Sequence, residues 1–281
     1  VTVLIAGCGD LGTEAGLRFL ALGERVMGLR RSAHLLPAEF DRQQVDLRVT
    51  EPSVPADTHT VVIALAAGTP TAEAYRASYV DGLRNLLDAL DESDVVPRRV
   101  LMVSSTAVYS VSDGSVVDES TPALPSSATA EVLLEAEQLL QARVPSAVIL
   151  RLGGIYGPGR ERLITQVREG RATVSAQSAH TNRIHRDDAA AAIVHLTTMD
   201  LQPAPLYIGV DNTPVRGAEV LAFLADELQV ASPTVVESTS ERGGDKRCSN
   251  ALLRATGFEF TYPDYRSGYR AVLAGEAKRH P

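Results

Sequence analysis

An apolar run at residues 1–6 breaks into Gly7-Cys8-Gly9-Asp10-Leu11-Gly12, and a helical stripe follows at once. The spacing is G-x-G-x-x-G. Its first glycine allows a tight turn, the second leaves backbone bare for close approach, and the third lets the helix lie near the strand. Leu11, Ala15, Phe19 and Leu22 recur at helical spacing and Gly23 is a stop signal, which predicts a helix over 10–22. A strand that turns directly into a helix is the opening unit of a layered α/β chain.

The pattern continues. Short apolar runs lie at 25–29, 60–66, 99–103, 147–150 and 206–210, with helix-length segments between them. Runs apolar on both faces suit parallel strands covered from both sides. A second helix is predicted over 71–91, with Tyr75, Tyr79, Leu83, Leu86 and Leu87 on one side. A third is predicted over 128–142, with Val132, Ala136, Leu139 and Leu140 as its apolar face. Strand and helix in alternation predict a Rossmann-type doubly wound parallel sheet. No repeat, low-complexity tract or linker divides the 281 residues.

In that context the glycine loop predicts a dinucleotide site, with Gly7, Gly9, Asp10, Leu11 and Gly12 against the pyrophosphate at a helix N-terminus. Cofactor choice is read at the end of the second strand, where a carboxylate favours NAD and arginine accommodates the 2′-phosphate of NADP. Arg30, Arg31 and Ser32 stand there without a carboxylate, which predicts NADP, the competing reading being a solvated arginine pair. Asp46 is either an adenine contact or a loop carboxylate. Ala66, at the end of the run over 60–66, and Ser104, just past the run over 99–103, complete the cofactor side.

The net charge of -8 argues against nucleic acid as a partner. No apolar run reaches the ~18 residues of a membrane span, and no signal segment precedes Val1, so a cytoplasmic protein is the expectation. Cys8 and Cys248 make no framework, and no residues near His180 and His185 give a metal-like spacing.

The remaining motifs resemble the extended short-chain dehydrogenase/reductases, the NAD-dependent epimerase/dehydratase group. Ser104-Ser105-Thr106-Ala107-Val108-Tyr109 is similar to its S-S-x-x-V-Y segment, and Arg151-Leu152-Gly153-Gly154-Ile155-Tyr156-Gly157-Pro158-Gly159 to its R-x-x-x-x-Y-G-P-G. Ile184-His185-Arg186-Asp187-Asp188 is similar to its [IV]-H-V-x-D pattern, and Asn250-Ala251-Leu252-Leu253 with Gly257-Phe258 to its ending. The resemblance implies one unit over 1–281. Residues 1–155 and 185–212 would form the dinucleotide core, and 156–184 with 213–281 a small substrate lobe. It also implies a homodimer through the helices at 71–91 and 128–142.

Active members carry Tyr-x-x-x-Lys on the helix after that serine segment, where the lysine lowers the tyrosine pKa for proton exchange. Aligning Glu137-Gln138-Leu139-Leu140 with the family helix places Thr129 and Leu133 at those positions. No tyrosine lies between Tyr109 and Tyr156, and the chain's two lysines are Lys246 and Lys278. Sugar-nucleotide enzymes also keep an arginine four residues before the later His, where this chain has Thr181. The chain is closest to the atypical members. Ser105 and Tyr156 are then the candidate catalytic residues, with Tyr109, Arg183 and His185 in the substrate cleft, and Arg151 or Arg183 the base that would lower a phenol pKa. Asp187 and Asp188 are expected to cap the following helix. Two functions follow: an NADP-dependent oxidoreductase or epimerase-like enzyme with a non-standard acid acting on a small substrate, or a non-catalytic NADP-binding sensor.

Overall fold

The computed structural model describes residues 1–237 and 244–281. Seven strands form the central sheet: β1 (Thr2–Ala6), β2 (Arg25–Arg30), β3 (Asp41–Gln44), β4 (Thr58–Ile63), β5 (Arg99–Ser105), β6 (Val148–Leu152) and β7 (Leu206–Gly209). Their order is β7-β6-β5-β4-β1-β2-β3, and each neighbouring pair is parallel. The order reverses between β1 and β4, and sheets of this kind take ligands in the crevice that opens there, beyond the strands' carboxyl ends.

Alternation along β1 shows how both faces are filled. Val3 and Ile5 pack with Leu11, Ala15 and Phe19 of α1 (Asp10–Ala21). Leu4 and Ala6 point the other way, into the layer that holds Leu83, Leu86 and Leu87. The expected helix over 71–91, which supplies those leucines, is not continuous. It starts as α2 (Ala72–Tyr75), passes through a π-helical turn at Arg76–Asp81 and resumes as α3 (Gly82–Glu92). Such turns are frequent at functional sites, and here Tyr75 and Tyr79, with ring centroids 5.2 Å apart, wall the ligand groove. α4 (Ala128–Arg143) completes this layer with Val132, Ala136 and Leu140. β3 has no apolar run because it is an edge strand whose residues are Asp-Arg-Gln-Gln. The run expected over 60–66 leaves the sheet at Ile63, which frees residues 64–66 to line the groove.

Beyond β6 the chain builds α5 (Arg162–Arg168), α6 (Arg186–Thr198), α7 (Gly217–Leu228), α8 (Ala251–Ala255) and α9 (Tyr265–Ala274). α6 joins α1 on the first face, while Ile164, Val220, Leu224, Tyr265 and Tyr269 form a separate core under the lobe. The stretch around Leu253 and Phe258, expected in the lobe, packs on the main core instead. Asp188 draws it there by accepting from the Thr261 and Tyr262 N–H groups at 2.8 and 2.9 Å. That also corrects the expected capping: the α6 N-terminus is capped by the His185 ring, whose Nδ1 accepts from Asp187 N–H at 3.2 Å. No helix among the described residues is long and apolar enough to cross a membrane.

Candidate functional site

The glycine loop has the geometry its spacing demands. Gly7 adopts φ +76°, and a Cβ there would lie 2.7 Å from the Ala64 carbonyl oxygen. A Cβ on Gly9 would meet only the Gly7 oxygen at 3.9 Å. What Gly9 leaves bare is therefore surface open to a ligand. The first turn of α1 offers N–H groups with no intrahelical partner. Cys8, between them, is a buried packing thiol, its pKa pushed up to about 12 by burial.

Two cavities of about 390 and about 240 Å³ meet over this loop at Gly7, Gly9, Leu65 and Ala66. The smaller holds Arg30, Arg31 and Asp46. Asp46 is gripped by Arg48 at 2.5 Å, which holds its carboxyl below the usual range. Ser32 stands outside that lining, at the start of the 3₁₀ turn Ala33–Leu35. The larger cavity holds Asp10, Leu11, Gly12 and Ser104, and α4 presents Thr129, Ala130 and Leu133 to it. Bare Gly9, an open helix N-terminus and a groove running along the strand ends fit a dinucleotide.

Two buried charge systems flank the groove, and neither is legible in the order of residues. Asp10 pairs with Arg186 at 2.6 Å and Arg160 at 3.0 Å. Arg186 is fully buried, with Asp187 and the Lys278 carbonyl as further partners. Behind the other wall, Ser104 donates to Glu137 at 2.5 Å, Glu137 pairs with Arg151, and Arg151 donates to the Tyr109 hydroxyl at 2.7 Å. Most of these pairs link residues far apart in sequence, so local spacing could not reveal them.

A further cavity of about 390 Å³ shares Ser105, Ala107, Ile155 and Arg160 with the groove and runs under the lobe. Tyr156, Arg183 and Lys246 line it. Ser105 Oγ accepts from Ala107 N–H at 3.1 Å. Tyr109 and His185 stand elsewhere than expected. The Tyr109 side chain is turned inward to Arg151. His185 is 1% exposed and lies behind Tyr156 at a ring distance of 5.4 Å, where burial lowers its pKa to about 4. Tyr156 stacks on Tyr269 at 4.3 Å, and its hydroxyl has no hydrogen-bond partner among the described residues. Burial raises the Tyr156 pKa, and nearby Arg183 only offsets part of that rise. The expected lowering is thus reversed, and Tyr156 can donate a hydrogen bond but not act as a ready base. Arg151 serves Tyr109, not Tyr156. Among the described residues no group of three or more metal-ligating side chains occurs.

The sequence profile of the NAD dependent epimerase/dehydratase family matches residues 3–209. Over 190 residues the chain is 29% identical to Protein YeeZ of Escherichia coli strain K12, a stretch that spans 66% of this chain and 66% of that relative's length. A Methylobacillus flagellatus protein provisionally named an NAD-dependent epimerase/dehydratase is 40% identical, with a TM-score of 0.81 over 98% of both chains. The UDP-glucose 4-epimerase of Thermus thermophilus, solved in complex with NAD, shares the fold at 22% identity, with a TM-score of 0.79 over 98% of both chains. A match over most of the chain, on a sheet whose glycine loop and groove have the required form, places this protein in the NAD-dependent epimerase/dehydratase family.

Proposed function

We propose that the chain is an NADP-dependent oxidoreductase or epimerase-like enzyme acting on a small molecule in the cleft beside the cofactor groove. The observation that carries this reading is continuity: groove and cleft share Ser105, Ala107, Ile155 and Arg160. A nicotinamide ring lying over the larger cavity would face a substrate directly. Gly7, Gly9 and the first turn of α1 would hold the pyrophosphate, and Arg30 with Arg31 the 2′-phosphate. The dinucleotide supplies hydride chemistry when bound. The chain supplies orientation and hydrogen bonds. Ser105 Oγ is the donor that stands at the cleft, and Tyr156 Oη, protonated and buried against Gly268 without a partner among the described residues, would reach a substrate oxygen by turning into it.

A second reading is a non-catalytic NADP sensor. It is favoured by the groove wall at Thr129, Ala130 and Leu133, which offers no group that titrates. Titration calorimetry tests the cofactor assignment common to both. NADP should bind at least tenfold more tightly than NAD, about 1.4 kcal/mol. Arg31→Ala should remove most of that margin and leave NAD affinity unchanged. Equal affinities in the native protein would overturn it. Oxidation of NADPH on a panel of small carbonyl compounds separates enzyme from sensor.

A further inference from the structure

The cleft has a charge pattern that hydride chemistry alone does not require. Its lining holds Arg160, Arg162, Arg183 and Lys246 and, among the described residues, no aspartate or glutamate. Some of these cations are already answered. Arg160 reaches Asp10, and Lys246 donates to the Tyr109 carbonyl at 2.9 Å. The neighbouring His180 is held by Asp245 at 2.7 Å.

Arg183 differs from these. It is 8% exposed, fixed on the strand Arg183–His185 beside Gly154–Tyr156. Its Nη1 donates to Thr181 Oγ1 at 2.6 Å, and it bonds to the Tyr269 side chain. No carboxylate of the described residues lies within ion-pair distance, 4.0 Å, of its guanidinium. One acid that feels its charge is Asp211, 2% exposed, whose Oδ2 has no partner among the described residues. Burial lifts the Asp211 carboxyl to a pKa of about 7, so at neutral pH it offsets only part of the Arg183 charge. A buried guanidinium with hydroxyl partners and no carboxylate in ion-pair contact is unfavourable unless something anionic completes it.

We propose that the cleft's substrate carries a compact oxyanion, a carboxylate or phosphate monoester, which the Arg183 fork receives with Arg162 adding positive charge beside it. This rests on the reading that the adjoining groove takes the dinucleotide. The planar fork of arginine matches both anions in bidentate fashion. A cavity of about 390 Å³ is at the small end for ligand sites, which favours a short carbon skeleton over a nucleoside diphosphate sugar. The anion orients the substrate, and Ser105 and Tyr156 remain for its reacting oxygen.

The test is calorimetry and thermal melting of the full chain with NADPH saturating and without it, titrating inorganic phosphate, malonate and UDP separately. Phosphate or malonate should bind and raise the melting temperature, and comparing the two tells which anion the fork prefers. Arg183→Gln should weaken that binding at least tenfold. Arg162→Ser, at an exposed position, should weaken it severalfold. UDP binding tenfold more tightly than phosphate would overturn the proposal, as would anion affinity unchanged in both variants. Failure to bind NADPH with anion binding intact would instead sink the cofactor reading alone.

Discussion

Tyr156 lines the cleft, and its hydroxyl is buried against Gly268 with no partner among the described residues. Removing a buried hydroxyl that makes no hydrogen bond costs little stability, so Tyr156→Phe should melt near the native temperature and bind NADP as well. Any turnover found should fall at least about 100-fold, the usual worth of proton help at the reacting atom. Normal turnover in that variant would reduce Tyr156 to a packing residue. Asp211 gives a pH signature. Its folded pKa of about 7 stands above the ordinary 3.8, so the folded state holds the proton more tightly and stability falls as pH rises from about 4 to 7. His185 acts oppositely: its folded pKa of about 4 lies below 6.5, so stability rises over that window and is lost as pH falls through it. Asp211→Asn, which keeps an oxygen for Thr213 N–H, should remove the decline. Urea unfolding at pH 8 should then show the variant more stable by up to about 4 kcal/mol, roughly three pKa units. A variant no more stable than the native protein at pH 8 would contradict it.

At the scale of elements, α4 is fastened to the sheet by charge as much as by apolar packing. Its Glu137 meets Arg151 of β6 with both side chains almost fully buried, and Ser104 and Tyr109 complete the set. Truncating one partner of such a pair leaves a buried charge uncompensated, at a cost of about 3–5 kcal/mol. Glu137→Ala should therefore lose about that much in urea unfolding, while Glu137→Ala combined with Arg151→Met should recover part of it. A double variant whose loss equals the sum of the Glu137→Ala and Arg151→Met losses would show that the two side chains are not coupled. The same network explains the inward turn of Tyr109. Its motif resembles a segment that faces a substrate, but a buried guanidinium 2.7 Å from its oxygen decides the rotamer.

For the whole molecule, association is the property that surface chemistry bears on. The expectation of a homodimer rests in part on five apolar side chains of the helices at 71–91. Leu83, Leu86 and Leu87 are buried under the sheet, and Tyr75 and Tyr79 wall the groove. The outer faces instead carry Arg76–Glu135, Arg84–Asp81 and Arg143 with Asp88 and Asp91. We propose a homodimer through these faces only as a polar contact, screened by salt. Light scattering should give twice 30.0 kDa at low ionic strength and shift toward the monomer in molar salt. A 30.0 kDa particle in both conditions would refute it.

The layers, the glycine turn and the place of the groove were legible in the order of residues, because each rests on local facts. Unbroken apolar runs of about five residues say that a strand is buried on both faces, and G-x-G-x-x-G between strand and helix says where backbone lies bare. The polar edge strand β3 and the π turn were illegible, since neither has an apolar period of its own. The contents of the cleft depended on long-range packing. His185 and Tyr109 belong to motifs of substrate-facing type, yet packing turned one behind Tyr156 and the other onto Arg151. Arg183 and Lys246, 63 positions apart in the chain, came to line one cavity. Spacing in sequence reports neighbours along an element, whereas a side chain's rotamer and its charge are settled by partners that only the folded chain brings near.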